Sequence, residues 1–126
     1  MDETFEDDEK LFRAVLPPRV RPDFWKSKKR ISSAALKTKI GLSADRAGGR
    51  QSCCALECIK GRMKIEGGVI SLTFIQCCTV DSYVHYSPSH INIYHTDILG
   101  SNTSIMLSDK QAKILARNAS VEFFAE

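Results

Sequence analysis

The sequence predicts an α+β fold in a single domain, with a mixed or antiparallel sheet and two main helices. Three observations carry this. "GGVISLTFIQCCTV" alternates Ile70, Leu72 and Phe74 with Ser71 and Thr73, the two-residue period of a strand. "LSDKQAKILARNA" offers Ser108 as a cap and Asp109 for the positive end of a helix dipole. Ala112, Leu115, Ala116 and Ala119 follow as its apolar stripe, with Lys110, Lys113 and Arg117 outward. Strand-like and helix-like stretches otherwise mix without the regular alternation of a parallel βα sheet. At 126 residues the chain has the length of one domain. The expected division is an acidic segment over residues 1–10 and a folded unit over residues 11–126.

The remaining elements follow in order. "KLFRAVLP" reads as the first strand, with Leu11, Arg13 and Val15 on one side and Phe12 and Ala14 on the other. Pro17 and Pro18 end it, because proline donates no ladder hydrogen bond and restricts its predecessor. "RVRPDFWKSKKR" reads as a loop anchored by Phe24 and Trp25, and "ISSAALK" as a short strand or a helical turn. "GLSADRAGGR", with Gly41, Gly48 and Gly49, reads as a turn region. Ser52 is placed to cap a helix over about residues 53–63, with Cys54, Ala55, Cys58, Ile59 and Arg62 on one face and Gly61 near its end. "HYSPSH" is a loop containing Pro88, "INIYHTDIL" a strand stopped by Gly100, and "SVEFF" a closing strand.

Several function classes are disfavoured at once. No apolar run approaches the roughly 18 residues of a membrane span. The N-terminus is acidic, without the basic-then-apolar order of a secretory signal, so the cytoplasm is the expected compartment. Five cysteines, an odd number, argue there against a disulfide framework. Cys53 adjoins Cys54 and Cys77 adjoins Cys78, a poor spacing for zinc; Cys54, Cys58 and one of Cys77 and Cys78 are expected as small buried apolar residues. His85, His90 and His95 are five apart, which suits neither one strand face nor one helix face, so no metal site is expected.

Charge is distributed unevenly. Residues 2–9, "DETFEDDE", hold six acids and no base, whereas residues 10–50 hold twelve Lys and Arg against Asp23 and Asp45. Such a block attracts phosphate or an acidic partner. The acidic N-terminus is placed to fold back over it. Within the block, "GLSADRAGGR" and the hydroxyls before it supply the parts of an anion nest: glycine-freed N–H groups, Ser32, Ser33, Ser43, Arg46 and Arg50. No phosphate loop, dinucleotide fingerprint or nucleophile elbow accompanies them. In "YHTD", His95 and Asp97 are two apart on an expected strand and share a face, where a carboxylate sets a histidine's tautomer.

The succession "LFRAV-P", "ISSAAL", "GLSADR", "YHTDILGS" and "LSDKQAKILARNA" resembles a group of small uncharacterised bacterial proteins, over about residues 11–121. In that group an Arg-bearing first strand precedes an SSAAF-K segment, an LSV-type segment, a histidine strand and a short C-terminal helix. Leu36 stands here in place of the Phe, and Ala44 in place of the Val. The resemblance implies a fold unit and a bacterial source, and no reaction. The chain is also similar, more distantly, to ADP-ribosyltransferase-like or RES-type folds. That similarity implies a site for NAD with Arg13 on the first strand, Ser32 or Ser33 on the second and His95 nearby. The late glutamate of those folds has no matching motif; Glu122 is nearest in position.

Two functional expectations result. The first is a binding module without a cofactor, whose basic segment 19–50 contacts nucleic acid or an acidic protein surface. Arg19, Arg21, Lys28, Lys29 and Arg30 supply charge for it, and Trp25 and Phe24 supply stacking groups suited to single strands. The second is a nucleotide- or NAD-handling enzyme with Arg13, Ser33 and His95 around an anion. A bacterial defence or toxin-type system fits either.

Overall fold

A computed structural model of the chain describes residues 1–125. Eight strands and three α-helices form one α+β unit: β1 (Lys10–Val15), β2 (Trp25–Ser27), β3 (Arg30–Ile31), β4 (Leu42–Arg46), α1 (Ser52–Arg62), β5 (Gly68–Thr73), α2 (Phe74–Thr79), β6 (Tyr83–Tyr86), β7 (His95–Leu99), α3 (Asp109–Asn118) and β8 (Ser120–Phe124). Six strands make one sheet in the order β6-β7-β4-β1-β5-β8, every neighbouring pair antiparallel, and β2 and β3 form a separate hairpin. Among the described residues no helix is long and apolar enough to cross a membrane.

The sheet is covered unequally on its two sides, and this decides where a site can lie. One face carries Leu11, Val15, Leu42, Ala44, Ile70, Leu72 and Ile98. Ala112, Leu115 and Ala116 of α3 close over it, with Leu36 of the 3-10 turn Ser33–Leu36 and Leu107. On the other face Phe12, Val69 and Ala47 meet Ala55 and Ile59 of α1. That helix covers only the β1–β5 half. Register sets Ser43 beside Asp97, Asp45 beside His95 and His85 beside Asp97, so the β4-β7-β6 half of the same face is polar; Ser43 and His85 are exposed.

Several local readings are corrected. Residues 42–46 are a central strand, not a turn: β4 bonds to β1 on one side and β7 on the other, and the glycines bracket it. Gly41, Gly48 and Gly49 take positive φ (95°, 59° and 84°), which glycine alone adopts without a Cβ penalty. Ser43, Asp45 and Arg46 disguise the strand, because the two charged residues are buried by pairing and not by apolarity. The loop after Pro18 contains a 3-10 turn, Pro22–Phe24, and the β2–β3 hairpin. The strand beginning at Gly68 stops at Thr73. There Thr73 Oγ1 accepts from the Gln76 N–H (3.3 Å) and Gln76 Oε1 accepts from the Thr73 N–H (2.9 Å), a capping box that starts α2. Tyr83–Tyr86 is a strand that the sequence did not announce. In α1 only Ala55 and Ile59 are buried; Cys54 and Cys58 are exposed, and Cys77 alone among the cysteines is buried. The helix begins after Gln51 without a side-chain cap, so Ser52 is its first residue and not its cap.

Candidate functional site

The stretch singled out as an anion nest does hold an anion, and it is the chain's own. Glu9 accepts from Arg46 Nε and Nη2 (both 2.8 Å) and from the Gly48 N–H (2.8 Å). Arg46 also donates to the carbonyls of Asp2 (2.8 Å) and Thr4 (2.7 Å), and its guanidinium lies between the rings of Phe5 and Tyr86. The N-terminal segment therefore folds back on Arg46, held there by one carboxylate, two carbonyls and one aromatic ring. Arg50 is used in part: it donates to the carbonyls of Ala47 (2.8 Å) and Arg46 (2.9 Å) and stacks on Tyr94, while its buried Nη1 has no hydrogen-bond partner among the described residues.

Two surface hollows gather residues that the sequence singled out. The first is a groove of about 490 Å³ between the end of α1 and the uncovered half-sheet, lined by Arg13, Ser43, Asp45, Arg62, Asn92 and His95 over an apolar base that includes Phe12 and Ile59. His95 and Asp97 share a strand face, as their spacing predicts, and Ser87 links them. Its Oγ lies 2.8 Å from His95 Nδ1 and donates to Asp97 Oδ2 at 2.8 Å. His95 Nδ1 is also 3.1 Å from the Ser87 carbonyl. A carbonyl only accepts, so that contact places a proton on Nδ1. Nε2 is 3.9 Å from Asp97 Oδ1, too long for a hydrogen bond. Serine here stands between histidine and aspartate, so the order that activates a serine nucleophile is not formed.

The second hollow, about 200 Å³, lies between the β2–β3 hairpin and α3. Lys26, Arg30, Lys113 and Arg117 line it with Ser33. All four cations are exposed, and none joins an ion pair among the described residues. Lys113 and Arg117 stand one turn apart on the outward face of α3, and the hairpin brings Lys26 and Arg30 to them.

The other basic residues of the segment are largely used within the fold. Arg19 pairs with Glu66 (3.4 Å), and Arg21 grips Asp23 through two hydrogen bonds (3.0 and 2.8 Å) while lying over Phe24. Lys37 pairs with Asp109. Trp25 is packed: its indole N–H donates to the Leu16 carbonyl (2.7 Å) and its edge meets Phe124, so it is not a free stacking platform. Ser32 donates to the Asp23 carbonyl. Lys28 and Lys29 form the exposed hairpin turn.

Of the nucleotide constellation, Arg13 and His95 share the groove with Ser43, whereas Ser33 lines the basic cleft with Arg30. Arg46 faces the N-terminal segment. Glu122 is occupied by Lys10 (3.0 Å) and Ser71 (2.6 Å). Sequence reasoning missed Ser87, which a loop sets between His95 and Asp97, and it missed Asn92 and Arg62, which a loop and a helix end deliver to the groove; no spacing in the chain records either. It also missed the cleft's composition, although Lys113 and Arg117, four apart on one helix face, were a visible half of it. No protein-family model, curated protein or solved structure matches the chain.

Proposed function

We propose that the protein is a binding module that holds nucleic acid by its phosphates in the cleft formed by Lys26, Arg30, Lys113 and Arg117. One observation carries this reading: four exposed cations and a serine hydroxyl surround one hollow, and none of the four forms an ion pair among the described residues. Like charges gather at a mutual cost, and a phosphate backbone offsets it by neutralising them and releasing counterions. With Trp25 and Phe24 packed into the fold, the contact is electrostatic and independent of base sequence. The basic surface is thus narrower than the whole 19–50 segment, and it takes half its charge from α3.

The test is the salt dependence of binding to fluorescent single- and double-stranded oligonucleotides. Affinity should fall steeply with salt. The double variant Lys113→Ala, Arg117→Ala should flatten the slope of log K against log salt by about 1.4 on a single strand, from roughly 0.7 per phosphate contact. No binding at low salt, or an unchanged slope in the variant, would refute the proposal. An acidic protein surface would then be the partner left to examine.

A further inference from the structure

We propose that the groove beside α1 is a second binding site, for a small anion carried on an apolar ring, with Arg13 as its anchor. It does not depend on the basic cleft. Arg13 leaves β1 on the α3 side, opposite Ile70, and reaches the groove through the opening where β1 and β4 part. Their ladder pairs Leu11 with Arg46 and Phe12 with Asp45, and there it ends. Nη1 of Arg13 spans the opening to the Ser43 carbonyl at 2.8 Å. Burial pushes the Arg13 pKa down, and no carboxylate among the described residues forms an ion pair with it. Arg13 is half-buried, and a cation that has lost part of its water without gaining a counter-charge is costly.

The carboxylates of this face are already taken. Asp45 accepts from Arg62 (2.9 and 3.0 Å) and Asn92 (3.0 Å), and Asp97 accepts from Ser87 (2.8 Å). A ligand carboxylate or phosphate would supply the missing charge to the guanidinium fork. Phe12, Ile59, Met63 and Ile91 line the same groove and suit an apolar ring. At about 490 Å³ the groove falls within the size range of small-molecule sites. His95 Nδ1 is engaged by Ser87, so Nε2 is its ring nitrogen without a hydrogen bond among the described residues.

The experiment titrates phenyl phosphate, benzoate and benzyl alcohol into isotope-labelled protein and follows backbone amide shifts. One or both anions should move the amides of Phe12, Arg13, Ser43 and Asn92 saturably, and which binds more tightly tells phosphate from carboxylate. Benzyl alcohol, which keeps the ring and lacks the charge, should bind at least roughly tenfold more weakly. Inorganic phosphate should also bind more weakly than phenyl phosphate, because it leaves the apolar walls unused. Arg13→Gln should abolish binding. Because Arg13 also bridges two strands, Ser43→Asp serves as a second variant: Ser43 is exposed, and a carboxylate there competes for the guanidinium without touching the core. It too should cost at least tenfold, whereas Lys113→Ala with Arg117→Ala should change nothing. The proposal is overturned if neither anion produces saturable shifts, if benzyl alcohol binds as well as the anions, or if Ser43→Asp binds like the wild type.

Discussion

Replacing Glu9 with Gln removes the carboxylate that forms an ion pair with Arg46. The side chains of Arg46 and Glu9 are 4% and 8% exposed, so the pair is out of water. Removing one partner of a buried pair costs about 3–5 kcal/mol, chiefly through the charge left behind. Arg46 has other support here, two backbone carbonyls and the faces of Phe5 and Tyr86, which places the expected loss near the lower end, about 3 kcal/mol. For a chain of this length that is a fall in Tm of roughly 10 °C. Urea unfolding of both proteins at neutral pH measures it. The pH dependence supplies a second check. Burial pushes the Glu9 carboxyl up, but hydrogen bonds from Arg46 and Gly48 more than offset this and leave it below the usual carboxylate range. A depressed folded pKa contributes stability that is present above the unfolded value and lost as pH falls through the folded one. The gap between wild type and Glu9→Gln should therefore close in acid, because protonated Glu9 resembles Gln. A loss below about 1 kcal/mol at neutral pH, in the range of an exposed pair, would refute the reasoning.

Three further outcomes follow from the packing. Gly61→Ala should stabilise the protein by about 0.5–1 kcal/mol in thermal unfolding, because Gly61 lies within α1 and an added Cβ would meet nothing within 4 Å. Gly68→Ala should destabilise it by about 1–3 kcal/mol and alter Trp25 fluorescence, since the new Cβ would lie 2.7 Å from both the Phe123 carbonyl and the Trp25 ring. A thiol reagent should label Cys53, Cys54, Cys58 and Cys78 in the folded protein and reach Cys77 only on unfolding, because Cys77 is buried and its pKa is pushed up to about 12.

The sequence by itself determined the elements whose period and caps are local. β1, β5, β8 and α3 follow from alternation, from the proline stop after Val15, and from Ser108 before a helical stripe. The shared face of His95 and Asp97 was legible for the same reason: two residues two apart in a strand point alike whatever surrounds them. The α2 capping box was also present in the chain, as Thr73 and Gln76, but the apolar run across Thr73 masked it. Only the tertiary structure decided the rest. β4 is a strand because β1 and β7 satisfy its backbone and because Glu9, Arg62 and Asn92 satisfy its charged side chains, and those partners lie far away in sequence. The fate of the basic block was decided in the same way. Charge is additive along a chain, but availability is not: Arg46 is spent on Glu9, Arg50 on carbonyls, Arg21 on Asp23 and Lys37 on Asp109. The uncommitted cluster unites Lys26 and Arg30 with Lys113 and Arg117 across more than half the chain, because the hairpin and α3 close over the same sheet face.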